Sequence, residues 1–588
     1  MKASLRFLAG GISGLLVAGL AAVPAAAAAA PAAERTSAAE ARRVDRVPTP
    51  ELDWYSCYDY GECTTVDLPL DYDRPNGPTT EVALLRVKAR DQKNKIGSLF
   101  LNPGGPGGSG TSIALAAPFF LGPEVVDKFD LVGFDPRGIA NSDNVQCFRN
   151  TREQTEKLAG MNVLFPYGQA EEEAYIASAR ELGKSCSTTG KPLSGSMSTA
   201  EVARDMDVLR RAVGDDKLSF LGFSYGSALG QYYANMFPDR FRAITVDGVL
   251  DPTKWVGNQQ TKDQTLDDRL RSADGAYKAL TEMFKRCDAA GEELCPFAGH
   301  FAADFELVAD RLRAAPIEFE DEAGVYYFRY SDFVGTALSA LYDAYGYEFL
   351  VFVVEDLLVL TDPEAPEDRR ATAKKSLAKR LAEHGKRPGR DFPYYNDLEA
   401  NASVICTDGL HPKDAALWPA LTAKADERAP YFGRAWGWGD AQCARKTWTV
   451  EDEDAYRGPF NRRTEAPVLV VGNYWDPATN YNDAVSSAAL LPNSRLLSSD
   501  SWGHTAYGTS ECVTSAVDEY LLRGTLPVED TLCVGDVQPF QPLPEETRRA
   551  AATQTRTERA PVELAEVAKL DAPKAGEPKL LPPVVPMR

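Results

Sequence analysis

Two patterns of apolar residues alternate along the chain from about Glu51. Short apolar runs typical of strands are separated by segments whose apolar residues recur every three or four positions, which is helical spacing. The strand-like runs are residues 82–87, 97–102, 130–135, 218–221, 243–247, 466–472 and 494–498. Strands that alternate with helices predict the α/β class, a mostly parallel sheet with helices on both faces.

The alternation is interrupted after Pro252. Helix-like segments follow one another at residues 263–287, 301–314, 331–342, 348–360 and 367–384, and residues 317–320 and 325–329 are predicted to form a hairpin among them. We interpret residues 256–455 as a large, mainly helical cap inserted into an α/β core of residues 51–255 and 456–545. Because open α/β sheets bind ligands at the carboxyl ends of their strands, we expect the cap to lie over that edge.

The two termini differ from the core in composition. Lys2 and Arg6 precede an uncharged apolar run, and an alanine tract follows Pro24, so residues 1–33 are predicted to be a secretory signal peptide. A retained membrane anchor is the alternative, but Pro24 and the alanine tract favour cleavage and a secreted, extracellular protein. Residues 34–50 are expected to be a pro-segment or linker, and residues 546–588, rich in proline and charge, a disordered tail.

The net charge limits the kinds of partner, and the cysteines indicate the redox compartment and bear on metal sites. The formal net charge of −21 argues against a nucleic-acid partner, because phosphates would be repelled. The ten cysteines fit an oxidising compartment, and sequential pairing is the simplest hypothesis: Cys57 with Cys63, Cys147 with Cys186, Cys287 with Cys295, Cys406 with Cys443 and Cys512 with Cys533. The chain has no C-x-x-C motif, so neither a zinc ribbon nor a redox dithiol is expected, and we predict no metal and no cofactor.

A serine between two glycines is the strongest chemical signal. Ser224 lies in Gly222-Phe-Ser-Tyr-Gly226, after the apolar run 218–221 and before a helix-like segment, residues 227–236. Such a sequence between strand and helix is typical of a nucleophile elbow, where small neighbours let the strand and the helix pack closely. Chance is the alternative for so short a motif, and the flanking strand and helix favour the nucleophile.

A serine hydroxyl needs a base before it can attack, and the chain contains only four histidines. His300 lies in the predicted cap, His384 ends a charged helix, and His411 lies in a loop before a proline. His504 lies just after the last strand-like run, and a position after a terminal strand is where the base belongs. Although loop histidines are more often surface residues, His504 is therefore our candidate base.

The acid that orients the base should follow the preceding strand. Asp476 follows the strand-like run 466–472, although Asp-Pro is also common in turns. Asp500 is the rival, because it is closer in sequence to His504. We prefer Asp476 because the order nucleophile, acid, base, here Ser224, Asp476, His504, is the order of the α/β hydrolases.

Acyl transfer also needs donors for the developing oxyanion. The backbone N–H of Tyr225, directly after the nucleophile, is the first expected donor. The second is expected from the glycine-rich loop of residues 102–110, and we select Gly105; a phosphate-binding loop is the alternative, but the G-K-[ST] ending is missing. Thr479, three residues after Asp476, is expected either to hydrogen-bond near the triad or to cap the turn.

Together these motifs resemble the secreted bacterial tripeptidyl aminopeptidases, α/β-hydrolase serine peptidases related to the proline iminopeptidases. The resemblance covers residues 50–540 and includes residues 102–107, 133–138, the Ser224 elbow, and residues 247–252, 476–479 and 503–505. Pro103 stands where the iminopeptidase pattern has histidine, which favours the tripeptidyl branch. The resemblance implies a substrate peptide or protein with a free N-terminus, and it implies that Asp135 and Arg137 hold the loop beside the elbow, a surface turn being the alternative.

The same residues allow other functions. A carboxylesterase or lipase would use the same triad, and a specificity like that of the proline iminopeptidases would need only a different substrate pocket. A non-catalytic surface protein on a hydrolase fold is disfavoured, because serine, acid and histidine are all present at matching places. We therefore expect a serine exopeptidase that releases tripeptides or similar short peptides.

Overall fold

The computed structural model of the protein describes residues 32–321, 324–384 and 395–541. The predicted signal peptide lies outside the described residues except for its last two positions, and the predicted tail, residues 546–588, lies outside them entirely. Neither prediction is therefore tested by the structure.

A ten-stranded sheet forms the centre of the fold, in the order β1-β2-β3-β5-β4-β6-β7-β10-β11-β12. From β5 to β12 all neighbouring strands are parallel, whereas β1, β2 and β3 form an antiparallel edge. The strands are β1 Tyr55–Cys57, β2 Gly61–Pro69, β3 Thr79–Val87, β4 Gly97–Asn102, β5 Phe129–Phe134, β6 Leu218–Phe223, β7 Phe241–Asp247, β10 Val468–Trp475, β11 Ser494–Trp502 and β12 Leu532–Val534, with a separate hairpin of β8 Ile317–Asp321 and β9 Gly324–Phe328. The predicted fold class is confirmed.

The helices of the described residues cover the sheet and build the insertion. They are α1 Ala38–Asp45, α2 Gly110–Phe120, α3 Pro123–Lys128, α4 Thr151–Lys157, α5 Gln169–Cys186, α6 Thr199–Ala212, α7 Tyr225–Met236, α8 Pro252–Val256, α9 Leu266–Leu270, α10 Ser272–Ala290, α11 Phe301–Ala314, α12 Tyr330–Tyr342, α13 Gly346–Leu360, α14 Glu367–His384, α15 Asp397–Asp408, α16 Trp418–Arg428, α17 Phe432–Gly437, α18 Tyr481–Leu490 and α19 Glu511–Arg523. None of these helices is both long and apolar enough to span a membrane.

Two apolar cores lie on opposite faces of the sheet, because successive side chains of a strand point to opposite sides. Leu99 and Leu101 of β4 pack with residues of α2, α3 and α19, whereas Phe100 between them packs with residues of α6 and α7. Both faces of the parallel strands are therefore covered, which is why these strands read as continuous apolar runs in the sequence.

The insertion between β7 and β10 has an apolar core of its own. This core is formed mainly by α10 to α13, α16 and α17. Helix α5, which precedes β6 in the chain, contributes Tyr175, Ile176 and Ala179 to the same core. Helix α5 therefore packs with the insertion, although it lies in the segment predicted as the first half of the α/β core. A domain boundary drawn from sequence order alone does not reveal this packing.

One long helix predicted at residues 263–287 is in fact two helices. Helix α9 ends at Leu270 and α10 begins at Ser272, and Arg271 between them has a φ of 63°, in the left-handed region. The buried Asp267 stabilises the break, because its carboxylate accepts the N–H of Ala273 at 2.8 Å in the first turn of α10.

All five disulfides join the cysteines that are sequential neighbours in the chain. The bonds are Cys57–Cys63, Cys147–Cys186, Cys287–Cys295, Cys406–Cys443 and Cys512–Cys533. The hypothesis of sequential pairing is confirmed. Cys147–Cys186 fixes the end of α5 to the loop after β5, and Cys406–Cys443 fixes α15 within the insertion, so the segments around the main core are cross-linked locally.

Residues 34–50 are packed on the core at helix α1. Val44 is buried, and Glu40 accepts hydrogen bonds from the buried guanidinium of Arg204, at 2.9 Å from Nε. Asp45 forms an ion pair with Arg240 at 2.8 Å. Residues 38–45 are thus helical and packed on the core, and the interpretation of residues 34–50 as a pro-segment or linker stays a prediction.

Candidate active site

Ser224 lies at a sharp turn between β6 and α7. Its φ of 57° and ψ of −125° are unusual for a residue other than glycine, so the backbone is strained at this position. Glycines make the turn feasible: a Cβ on Gly222 would lie 2.3 Å from the carbonyl oxygen of Gly226, and a Cβ on Gly226 would lie 2.8 Å from the carbonyl oxygen of Asn102. The predicted elbow geometry is present.

His504 and Asp476 follow two neighbouring parallel strands, β11 and β10, whose ends are paired at Trp502 and Trp475. The Nδ1 atom of His504 lies 2.9 Å from both carboxylate oxygens of Asp476. The main-chain N–H of His504 donates to the carbonyl of Tyr342 in the insertion, and the two rings meet edge to face with centroids 5.0 Å apart. The imidazole is thus fixed from the sheet and from the insertion.

The Asp476 carboxylate is buried but well supplied with donors. Oδ1 accepts the N–H groups of Ala478 and Thr479, both at 2.8 Å, and Oδ2 accepts the hydroxyl of Thr479 at 2.8 Å and the N–H of Thr505 at 3.1 Å. Burial acts to raise the pKa of Asp476, but the His504 ring and these donors outweigh it and hold the pKa below its usual value. The rival Asp500 instead accepts the indole N–H of Trp475 at 2.5 Å.

Ser224 and His504 border the same junction at the end of β7. The N–H of Ser224 donates to the carbonyl of Asp247 at 2.9 Å. The next residue, Gly248, lies against the His504 ring: a Cβ on Gly248 would be 3.1 Å from Cε1 of His504 and 3.3 Å from Oγ1 of Thr479. Asp247 and Gly248 belong to one of the motifs that carry the family resemblance, but no local sequence signal places either of them in the site.

The two atoms that could exchange a proton are buried. Within the residues that the structure describes, neither Oγ of Ser224 nor Nε2 of His504 has a hydrogen-bond partner. Hydrogen bonds between such groups are often long in unliganded enzymes and shorten when substrate binds. Nε2 is the ring nitrogen not engaged by Asp476, so it is the one able to accept a proton from a hydroxyl.

The glycine-rich loop after β4 lies beside the elbow. The Oδ1 atom of Asn102 accepts the N–H of Gly104 at 2.9 Å, and a Cβ on Gly104 would lie 2.7 Å from Cβ of Ser224. Gly105, the next residue, has a φ of 115°, a conformation that favours glycine. Asn401 of helix α15 donates to the carbonyl of Pro106 at 3.0 Å, so the insertion holds this loop as well.

Tyr225, whose N–H was expected to face the oxyanion, is also anchored from the insertion. Its hydroxyl is 2.5 Å from Oγ1 of Thr199 in α6. Thr199 in turn donates its N–H to the carboxylate of Asp408 in α15 at 2.8 Å, and the indole of Trp255 donates to the same carboxylate at 2.8 Å. Burial raises the pKa of Asp408 to about 6.

Asp135 and Arg137 are both completely buried, so a surface turn does not describe them. The Asp135 carboxylate accepts the Ser109 hydroxyl at 2.7 Å and the Thr111 N–H at 2.9 Å, which secures the start of α2 directly after the glycine-rich loop. Arg137 makes two hydrogen bonds to Asp205 of α6, at 2.6 and 2.8 Å. The contacts of Asp135 agree with the role that the resemblance implied, whereas those of Arg137 tie its own turn to α6.

The other histidines have different surroundings. His300 is exposed and pairs with Asp304 one turn away. His411 is buried in the insertion, with Nδ1 2.9 Å from Asp440 and Nε2 3.0 Å from the carbonyl of Ile405, so both ring nitrogens are engaged. The side chain of His384 lies outside the described residues. His504 is the one we retain as the candidate base.

A cluster of carboxylates away from the triad has the donor set of a metal site. Oxygens of Glu201, Asp452 and Asp454 lie within 4.8 Å of one another. However, the guanidinium of Arg204 already donates to Glu201 at 2.8 Å and to Asp454 at 2.9 Å. Two of the three carboxylates are therefore already paired with arginine, and we assign the cluster no metal.

Two family models and several relatives match this chain. Residues 97–283 match the family model of the alpha/beta hydrolase fold, and residues 429–533 match that of the TAP-like protein. Serine protease Hip1 of Mycobacterium tuberculosis is 30% identical over 487 residues, covering 80% of this chain and 87% of that protein. Tripeptidyl aminopeptidase of Streptomyces lividans is 28% identical over 557 residues, covering 90% and 96%. Carboxylesterase B of Mycobacterium tuberculosis is 30% identical over 515 residues, covering 83% and 91%.

A mainly parallel sheet with a helical insertion, together with the match over residues 97–283, makes this protein an α/β hydrolase. Within that class the chain belongs to the family of tripeptidyl aminopeptidase-like hydrolases. It is therefore a hydrolytic enzyme, and the expected family and the expected enzyme class are confirmed.

We predict that Gly248→Ala lowers the rate of hydrolysis by about tenfold to 100-fold, because the added methyl group would press on the His504 ring, and displacing a reacting group by about 1 Å can cost about 100-fold. The measurement is kcat/KM for an activated ester. The matched control is Gly291→Ala. Gly291 also has a left-handed φ, of 74°, but a Cβ there meets nothing within 4 Å. Equal activity of Gly248→Ala and Gly291→Ala would contradict the prediction.

Proposed function

We propose that the protein is a secreted serine exopeptidase that removes tripeptides, or similar short peptides, from free N-termini of peptides and proteins. In this proposal Ser224 is the nucleophile, His504 the general base and Asp476 the acid that orients it. The observation that carries the proposal is the buried pair of His504 and Asp476 beside a strained elbow serine. The names of two relatives, a serine protease and a tripeptidyl aminopeptidase, support the peptide substrate.

The reaction proceeds as acyl transfer in two halves. Nε2 of His504 takes the proton of the Ser224 hydroxyl while Oγ attacks the carbonyl carbon of the scissile peptide bond. Asp476 holds Nδ1 in the protonated tautomer and stabilises the imidazolium. The imidazolium then protonates the leaving amine, the C–N bond breaks, and an ester on Ser224 remains. Water, deprotonated by His504, attacks this ester. The acyl C–O bond then breaks, the imidazolium returns its proton to Oγ of Ser224, and the peptide acid is released.

The oxyanion of each tetrahedral intermediate is proposed to be held by two backbone N–H groups. These donors are Tyr225, the first residue of α7, and Gly105 in the glycine-rich loop. The N–H of Gly104 already donates to Asn102, which favours Gly105 as the donor from this loop. Because Asn401 and Asp408 of α15 hold the neighbours of both donors, the insertion would set the geometry of the oxyanion site.

Export of the enzyme is part of the proposal. The predicted signal peptide and five disulfides support a mature protein in an oxidising extracellular compartment. No nucleic acid, metal or cofactor enters the proposed reaction.

Ester hydrolysis is the second candidate, because one relative is named carboxylesterase B and the proposed triad would serve it equally well. The decisive experiment compares a tripeptide anilide with a free α-amine, the same anilide with an acetylated amine, and a simple ester. We expect the free-amine anilide to be cleaved with the highest kcat/KM and the acetylated one at least about tenfold more slowly, since an aminopeptidase must bind the ammonium through a charge-assisted hydrogen bond.

Ser224→Ala serves as the matched control, because removing one buried hydroxyl changes little packing while abolishing nucleophilic attack. We expect this variant to fold normally by circular dichroism and to cleave none of the three substrates. Faster cleavage of the ester or the acetylated anilide would favour the esterase, and retained turnover by Ser224→Ala would exclude the serine mechanism.

Thr479 is proposed to support the triad through its hydroxyl, which donates to Asp476. We predict that Thr479→Val, which keeps the shape but not the donor, lowers kcat about tenfold, because a hydrogen bond to a charged group contributes about 1.5–3 kcal/mol. Thr479→Ser keeps the hydroxyl and should stay within about threefold of the wild type. If the two variants have equal kcat, the hydroxyl only caps the turn.

A further inference from the structure

Asp247 lies between the two strands that lead to the proposed nucleophile and acid. It is the last residue of β7, and its Cα is paired with that of Phe223 in β6 on one side and with that of Val471 in β10 on the other. Its side chain is completely buried. The reaction proposed for the triad does not use this carboxylate.

Asp247 contacts the backbone on both sides of the site. Its main-chain carbonyl accepts the N–H of Ser224 at 2.9 Å. Its carboxylate accepts the N–H of Tyr507 at 2.8 Å and the N–H of Ala506 at 3.0 and 3.1 Å. Ala506 and Tyr507 directly follow the turn that carries His504. One residue thus ties the elbow to the histidine loop, although the two are about 280 positions apart in the chain.

The carboxylate of Asp247 interacts electrostatically with two members of the proposed triad, Asp476 and His504. Burial raises the pKa of Asp247 to about 6; the N–H donors act in the opposite direction, the charge of Asp476 adds to the rise, and the charge of His504 opposes it. Asp476 from the end of β10 and His504 from the loop after β11 are the charged groups that act on it. A carboxylate with a raised pKa contributes stability below pH 4 that is lost as the pH rises through about 6. At neutral pH the enzyme therefore keeps an ionised group that does not favour the folded state.

We propose that Asp247 is a positioning residue of the active site, which holds the His504 loop at a fixed place relative to Ser224 and, when ionised, stabilises the imidazolium that forms during acyl transfer. This inference rests on the proposed triad, and it adds a second carboxylate to it. A carboxylate that served only as an acceptor at the end of a strand would affect folding, but it would not affect the protonation of the base.

The test compares the wild type with Asp247→Asn, using p-nitrophenyl butyrate, an activated ester that the triad would cleave whatever its peptide specificity. The amide keeps the size of the side chain and one acceptor oxygen but removes the charge. We expect kcat to fall about tenfold to 100-fold with KM within about threefold. We expect the acid limb of the kcat/KM profile to move to lower pH by about half a unit or more, because the imidazolium loses a favourable charge.

Asp215→Asn is the matched control. Asp215 also has a pKa raised by burial and also accepts a main-chain N–H, that of Ser98 at 2.8 Å, but at the start of β4, the opposite end of the sheet from the triad. We expect this variant to keep the kcat and the pH profile of the wild type. Asp247→Glu is the second variant: it keeps the charge and moves it, so we expect a lower kcat with the acid limb unchanged.

Three results would overturn the inference. The first is a wild-type kcat and profile in Asp247→Asn. The second is a decrease in both kcat and melting temperature of Asp247→Asn without any shift in the acid limb of its kcat/KM profile, which would mean that Asp247 has a structural role alone. The third, decisive if Asp247→Asn does not fold, is wild-type kcat in Asp247→Glu. Ser224→Ala distinguishes failure of the proposed triad from failure of the role of Asp247. If Ser224→Ala retains activity, the proposed triad is wrong. If Ser224→Ala is inactive and Asp247→Asn is unaffected, only the role of Asp247 is rejected.

Discussion

Parallel pairing of β6, β7, β10 and β11 is the constraint on which the candidate site depends. Because parallel strands end at the same edge, the elbow after β6, the Asp247–Gly248 corner after β7, Asp476 after β10 and His504 after β11 all meet there. Residues separated by hundreds of positions in the chain thereby become neighbours. The register of these strands, fixed by two apolar cores on opposite faces, therefore controls the chemistry at the edge.

Buried carboxylates at this edge have main-chain N–H groups among their principal partners. Asp476, Asp247 and Asp135 each accept at least two such donors, and each accepts one from a residue at least 24 positions away in the chain. Backbone donors cost no side-chain entropy and do not neutralise the charge, so the carboxylates can both fix the loops and act electrostatically. The insertion completes the arrangement through α15, which holds the glycine-rich loop and the surroundings of Tyr225.

Local signals were sufficient to predict much of this site. The elbow at Ser224, the parallel strands and the pairing of His504 with Asp476 follow from short motifs, apolar runs and chain order. The rest depends on contacts between distant segments. The break at Arg271 requires the Asp267 side chain, the packing of α5 with the insertion requires a core built mostly from later residues, and the role of Asp247 requires a loop about 260 positions away, which no local pattern reveals.

The most direct test of the triad is covalent labelling with a fluorophosphonate, followed by peptide mapping by mass spectrometry. We expect one equivalent of label on Ser224. We expect labelling to be at least about 100-fold slower in His504→Ala and in Asp476→Ala, since the hydroxyl is not activated without its base and its orienting acid. Label on another residue, or an unchanged rate in His504→Ala, would contradict the proposed triad.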